Sequence, residues 1–343
     1  MNIFFFIIIS GVHIMVKNIG TFKDFSDGTL KTVFNIGDKK IIEMSLLFNK
    51  EDKDVVCVPT HHFCNLGCKM CHLTNKGLNK AMIPINSEDF IECLFQTLIK
   101  NGNKRTNKKK LLISFMGVGE PLLNLKLIEE VYKNENLIKE KLGYEDIGYA
   151  IATMMPNNNI LRLKEMVCKL NIPLKVHFSM HTPIDSKRYD LIPSTNVSVQ
   201  EALAYLVNYR ESLQANEEIM KKYSKLHTTN DPIEIHYTLI NGVNDSQEEL
   251  IKVCELLSKY NISIKFIRFN PINELQISNN EEEWVSKISQ TIPQLRIKTY
   301  CPPGKEVGSS CGEFTKHYYH EEIETEEQKQ EFERWKAKHL VLE

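Results

Sequence analysis

The chain has no excess of charge of one sign. Across 343 residues, 43 Lys and Arg stand against 44 Asp and Glu, a formal net charge of −1. A uniformly basic surface for polyanions is thereby excluded, although a local basic patch is not. A long hydrophobic run at the N terminus is missing too. The apolar stretch Ile3 to Ile9 has seven residues, where a bilayer-spanning helix needs about 20. It also lacks the basic lead and the small-residue cleavage site of a secretory signal. It therefore reads as a buried strand or a disordered leader, with Met15 as an alternative start and the protein as cytoplasmic, with no membrane partner. Regular cysteine spacing is absent as well. Nine cysteines are scattered irregularly over a large chain, unlike the framework of a small secreted domain. No internal repeat occurs at solenoid periods. What is there is ordinary for a soluble globular protein, 42 % hydrophobic and 25 % charged, and long enough for one large α/β domain with a small addition.

From Asp27 to Leu47 apolar residues alternate on both sides of N-I-G-D, as two strands around a turn require. Six short apolar runs follow: Val55–Pro59, Leu111–Met116, Ile147–Thr153, Leu174–Met180, Ile233–Ile240 and Ile264–Phe269. Segments of helical spacing are interleaved with them or follow them: Ser87–Lys100, Leu125–Lys133, Ile160–Leu170, Val199–Arg210, Ser246–Tyr260 and Glu281–Ile292. Ser87 ahead of Asp89, and Asp245-Ser246 ahead of Glu248, mark two helix starts. This alternation predicts a parallel sheet of right-handed βα units. Six such units curve into a partial barrel whose chemistry sits at the carboxyl ends of the strands. Lys104–Lys110 is a basic loop, weighed as solvated surface against phosphate contact. Gln214–Asp231 is a polar insertion, and Glu321–Lys338 predicts an exposed charged helix.

The chemistry concentrates in C-V-P-T-H-H-F-C-N-L-G-C-K-M-C, residues Cys57 to Cys71. Cys64, Cys68 and Cys71 form C-x3-C-x2-C, with Asn65, Gly67 and Lys69 suited to a wrapping loop. Three thiolates so spaced bind three corners of a [4Fe–4S] cube and leave the fourth iron open. The competing reading is a structural zinc site completed by His61, His62 or His72. Other motifs fall at the ends of separate predicted strands: G-V-G-E-P (Gly117–Pro121), Thr153, S-M-H (Ser179–His181) and Asn270-Pro271. Cys93, Cys168 and Cys254 sit on helical patterns and read as core.

These blocks resemble the radical S-adenosylmethionine (SAM) superfamily and, within it, the RlmN/Cfr family of RNA adenine-carbon methyltransferases. The likeness runs in order from D-G-T-L-K (27–31) through the cysteine stretch, F-M-G-V-G-E-P-L-L-N (115–124), F-S-M-H-T-P (178–183) with Arg188–Pro193, G-V-N-D (242–245), I-R-F-N-P (267–271) and Gly304–Gly312. The resemblance implies a partial (βα)6 TIM-like barrel with a small N-terminal β extension. In that division residues 1–54 are leader and hairpin, 55–320 the barrel with its methyl-carrying loop, and 321–343 the charged helix. The family's accessory helical domain is expected to be absent.

The resemblance also assigns roles. Cys64, Cys68 and Cys71 hold a [4Fe–4S] cluster. Gly119, Glu120, Thr153, Ser179, Met180, His181 and Asn270 bind SAM. Cys311 carries a methyl group, Glu43 takes the ring proton, and Cys57 resolves the intermediate by forming a disulfide with Cys311. Cys301, ten residues before Cys311, is the rival for that position, and Gly312 argues against it. The implied partners are ribosomal or transfer RNA and a reducing donor such as flavodoxin or ferredoxin. Methylation at C2 of adenine is favoured. The alternatives are C8 of adenine, another substrate of a radical SAM enzyme, and a non-catalytic metal-stabilised RNA-binding module.

Overall fold

The structure is a computed structural model and describes residues 16–342 apart from 38–39, 49, 51, 76–81, 100, 103–105, 273 and 309–325. Cys311, the apolar N-terminal run, Met15, Lys104 and Arg105 lie outside the described residues.

Among those residues one sheet of eleven strands organises the chain. Its parallel part is β4 (Lys53–Val58), β5 (Lys110–Phe115), β6 (Asp146–Thr153), β7 (Leu174–Ser179), β8 (Ile233–Tyr237), β9 (Ile264–Ile267) and β10 (Ile297–Tyr300). Each pairs with the next in order, all parallel. The six strands expected from the sequence are present, and β10 extends the series by one. Its four residues, I-K-T-Y, carry too little periodicity to read as a strand alone. On the other side of β4 the sheet turns antiparallel through β3 (Ile41–Leu47), β2 (Leu30–Asn35), β1 (Lys17–Lys23) and β11 (Leu340–Leu342). The β2–β3 hairpin is the pair predicted around N-I-G-D. β1 and its partner β11 pair residues at opposite ends of the chain, which leaves no local signal.

The helices cover the outer face. Val56 and Val58, Ile113 and Phe115, Ile147 and Tyr149, Val176 and Phe178, and Ile235 and Tyr237 are buried in one cluster with the helix cores. The opposite face of the same strands is small or polar: Cys57, Ser114, Ala150, Lys175, His177, Glu234 and His236. The expected helices appear as Ser87–Ile99, Leu125–Lys133, Ile160–Leu170, Val199–Gln214, Gln247–Tyr260 and Glu281–Thr291. Ser246 caps the fifth with a full capping box to Glu249. At the first, Asn86 rather than Ser87 accepts from the Asp89 amide (2.8 Å). The polar insertion folds into a helix, Glu217–Leu226. Its last residue meets the barrel floor, where Lys53 Nζ donates to the Leu226 carbonyl (2.6 Å). Lys108 of the basic loop is likewise engaged, donating to the Lys53 carbonyl (3.3 Å) beside Asp54 (3.7 Å).

Arg188 ties the top of the barrel together. It is fully buried, and its guanidinium donates to the carbonyls of Met154, Ser179, Met180 and Val197 and to Thr195 Oγ1. The ends of β6 and β7 are thereby fixed to the 188–197 turn. Replacing it with methionine strands several buried carbonyls, each worth roughly 1–3 kcal/mol. Arg188→Met is expected to lower unfolding stability by at least about 3 kcal/mol, measured by urea titration of the full-length chain.

Candidate active site

The sulfur loop follows β4 and is held from below. The Lys69 amide donates to the Leu191 carbonyl (3.0 Å), and Ser194 Oγ donates to the Leu66 carbonyl (2.7 Å). Gly67 turns the chain at φ +73°, against Pro193. Cys64, Cys68 and Cys71 face one another closely enough that the charge of one raises the pKa of another. Burial pushes all three thiols up, Cys64 to about 11. Backbone amides already point at the sulfurs: those of Leu66 and Gly119 at Cys64, and those of Leu73 and Thr74 at Cys71. Such donors favour thiolate, the form a metal needs.

The donor set suits an iron–sulfur cube better than zinc. Tetrahedral zinc with sulfur ligands needs neighbouring sulfurs about 3.8 Å apart. Among the described residues, the group of three ligands within 4.8 Å of one another is His177, Glu234 and His236, not the cysteines. A cube takes each thiolate on a different corner and so accepts a wider spread. The histidines weighed for zinc are engaged elsewhere. His61 Nδ1 meets Thr60 Oγ1 (2.9 Å), His62 Nδ1 meets the Ile41 carbonyl (3.2 Å), and His72 Nε2 meets Asn270 Nδ2 (3.3 Å). The His177 group is no rival, because Lys175, Lys265 and Lys298 surround Glu234. Burial holds both imidazoles neutral, and the three ammonium groups would repel a cation.

The residues assigned to SAM gather around this loop. Gly119 lies at φ +102° with its Cα against His61 and Thr60, where an added Cβ would sit 2.4 Å from the His61 ring. Glu120 is buried and accepts from the Leu122 amide (3.0 Å) and the Met154 amide (3.1 Å). Burial raises its carboxyl to about 7 despite these donors and Arg188. Thr153 ends β6 and accepts from the Met155 amide (2.8 Å). Ser179 ends β7, and Met180 is buried after it. His181 sits at φ +57°, unusual for a non-glycine residue. Its Nδ1 accepts from the Thr238 amide (3.1 Å) and its carbonyl from Asn244 Nδ2 (2.6 Å), and burial lowers its pKa to about 3. The ring is thus neutral with its proton on Nε2. Asn270 follows β9 beside His72.

A second constellation lies one strand away. Strand register sets Lys31 opposite Ser45 and Ser45 opposite Cys57, on one face with Glu43. Lys31 Nζ meets Glu43 Oε2 at 2.6 Å, both side chains buried. Part of Cys57 is accessible, but its sulfur is deep enough that burial pushes the thiol up to about 11. Lys31 entered the sequence reading only as part of D-G-T-L-K. Its partners come from β3 and from residue 308, and no local pattern signals them. Of the cysteines read as core, Cys93 and Cys254 are buried and Cys168 is half-buried; Cys301 is exposed.

No family model matches the chain. It is 26% identical over 294 residues, 85% of this chain and 77% of the other, to the probable dual-specificity RNA methyltransferase RlmN of Clostridioides difficile. The RlmN of Vesicomyosocius okutanii is 25% identical over 294 residues, 84% and 74% of the two chains. The chain is thus similar in sequence to proteins named RlmN. The resemblance to RlmN proteins read from the sequence is borne out over most of the chain. Among solved structures, a radical SAM methyltransferase from Sphaerobacter thermophilus superposes with a TM-score of 0.66 at 19% identity, covering 87% of this chain and 80% of that one. The chain therefore shares the fold of that protein. Among the described residues no helix is long and apolar enough to cross a membrane.

The raised Glu120 carboxyl has a measurable consequence for stability. A carboxyl whose folded pKa is raised keeps its proton in the folded state from about pH 4.5 to about 7. Its contribution is complete below the unfolded value and is lost as pH rises through the folded one. Between pH 5 and pH 8 the cluster-free wild type is expected to lose about 2–3 kcal/mol relative to Glu120→Gln. Paired urea titrations at the two pH values measure this, and parallel curves for the two proteins would refute it.

Proposed function

We propose that the chain is a radical SAM methyltransferase that methylates a ring carbon of adenine, C2 favoured, in ribosomal or transfer RNA. The observation that supports this most is β4 itself. One strand carries Cys57 beside a buried Glu43 and, six residues past its C-terminal end, starts the three-sulfur loop. A binding module has no use for that pairing, and the relatives are named as RNA methyltransferases over 85% of this chain.

Cys64, Cys68 and Cys71 would hold a [4Fe–4S] cluster, which with bound SAM supplies a 5′-deoxyadenosyl radical. Glu120, drawn down by a cationic amine, orients SAM, with Gly119, Thr153, Ser179, Met180, His181 and Asn270 around it. Cys311 would carry the methyl carbon as a thioether. That methyl would lose one hydrogen atom to the 5′-deoxyadenosyl radical and bond to the adenine ring carbon. Glu43 would take the ring proton, and the one surplus electron would return to the cluster. The Cys57 thiolate then attacks the Cys311 sulfur. The carbon–sulfur bond breaks, its electron pair stays on the base-bound carbon and is protonated to a methyl group, and the cysteines are left as a disulfide. A reducing donor of the flavodoxin or ferredoxin kind returns electrons, and the setting is cytoplasmic. On this reading residues 55–320 are the catalytic barrel, 1–54 its β extension and 321–343 its C-terminal addition.

Nucleoside mass spectrometry of RNA from cells with and without the chain is expected to show a methyladenosine that depends on it. RNA unchanged by the chain would sink the proposal. A Cys64→Ala, Cys68→Ala, Cys71→Ala variant should lose iron–sulfur absorbance, and a protein that binds zinc instead would overturn the cluster. Cys57→Ala should leave RNA covalently joined at Cys311, seen as a mass shift of the denatured chain; release of free product would remove Cys57 from its role.

A further inference from the structure

The loop that leads to Cys311 is pinned by the N-terminal hairpin. The Gly304 amide donates to Asp27 Oδ2 (2.6 Å) and the Glu306 amide to Asp24 Oδ2 (2.8 Å). Trp335 Nε1 donates to the Glu306 carbonyl (2.8 Å). Lys31 Nζ donates to the Gly308 carbonyl as well as pairing with Glu43. Gly308 is three residues before Cys311. One ammonium group therefore touches the carboxylate assigned as base and the Gly308 carbonyl, in register with Cys57.

Stability alone does not explain this lysine. A buried ion pair gives up hydration that its mutual attraction recovers only in part, and apolar replacements of like volume are often no worse. Lys31 is 2 % and Glu43 8 % exposed, so the pair bears that penalty in full.

We propose that Lys31 is a positioning residue, which sets Glu43 and the Gly308 backbone in a fixed arrangement beside Cys57 for the second half of the reaction. The inference rests on the methyltransferase reading above. Charge also reaches Cys57: after burial, the Lys31 ammonium favours its thiolate and the Glu43 carboxylate opposes it, while its β5 neighbour is the uncharged Ser114.

The test uses the full-length, cluster-loaded chain as wild type, Lys31→Met and Lys31→Arg. Each is given SAM, a chemical reductant, and a mixture of ribosomal RNA and tRNA lacking adenine-carbon methylation. Three quantities are read: 5′-deoxyadenosine formed, methyladenosine formed, and the alkylation rate of Cys57 in reduced protein by peptide mass spectrometry. Lys31→Met is expected to keep its cluster absorbance and its 5′-deoxyadenosine. Methyladenosine per 5′-deoxyadenosine should fall about 100-fold, the low end of what a positioned base contributes. Cys57 alkylation at pH 9 should slow by about three-fold, because the thiolate has lost its neighbouring cation. Lys31→Arg should recover both in part. A wild-type ratio and a wild-type Cys57 rate in Lys31→Met overturn the proposal. Should Lys31→Met fail to fold, Lys31→Arg decides: a ratio lowered about five-fold with alkylation near wild type supports positioning, and an unchanged ratio overturns it. If the wild type makes no methyladenosine, the methylation reading falls instead. The alkylation rates, which need no RNA, then decide whether Lys31 governs Cys57.

Discussion

Parallel pairing of β4 to β10 is the constraint on which the rest of the molecule depends. A parallel strand cannot be reached by a tight turn, so the chain returns over the outer face each time, as helix, and re-enters from the same side. Every strand then ends on one rim. The sulfur loop, the Gly119-Glu120 turn, Thr153, Ser179 and Asn270 are neighbours because each follows a strand of that series, though over 200 residues separate the first from the last. Rim loops need fixing, and Arg188 does this from beneath by filling carbonyls at the ends of β6 and β7. Its own turn then holds the sulfur loop through Leu191 and Ser194.

The same alternation that gives the outer face its apolar side chains leaves the interior polar. Glu234 sits there against His177 Nδ1 (3.2 Å) and beside Lys175 and Lys265, and His177 first, then the lysines, hold it ionised far below the usual carboxylate range in spite of burial. His177 and His236 lie with their rings 4.3 Å apart, both neutral. The interior is thus cationic on balance below a rim that carries the thiols. That positive charge disfavours a cation among Glu234, His177 and His236, while the soft donors Cys64, Cys68 and Cys71 lie in the loop above.

What the sequence revealed follows the range of the interactions involved. The six strands read correctly because L-K-V-H-F-S and I-E-I-H-Y alternate, and their outward residues match a continuous layer of amphipathic helices. The cysteine trio stood out as a candidate because the spacing of metal ligands is local by nature. The short β10, β1 with its distant partner β11, and the Asn86 cap did not read, since each depends on a neighbour remote in sequence or on one side-chain rotamer. Arg188 and Lys31 are the sharper cases. Each was visible only as a letter in a motif, and each acts through partners that the fold delivers: carbonyls of β6 and β7 for one, Glu43 and Gly308 for the other.

The change of strand direction at β4 explains why two kinds of chemistry fit so closely. β4 has a parallel neighbour, β5, and an antiparallel one, β3. In a purely parallel barrel only strand ends and their loops reach the rim, so a site is built from tips. An antiparallel hairpin runs back past the rim, and residues within its strands, Lys31 and Glu43, come level with Cys57 near the end of β4. Mid-strand side chains are held by two neighbours and by ladder hydrogen bonds, and so are fixed more rigidly than any on a loop. The sulfur loop leaves the end of β4 and is held by Leu191 and Ser194. Next to it stand Cys57 and the Lys31–Glu43 ion pair at 2.6 Å, held within strands, and β4 is the strand that joins the two.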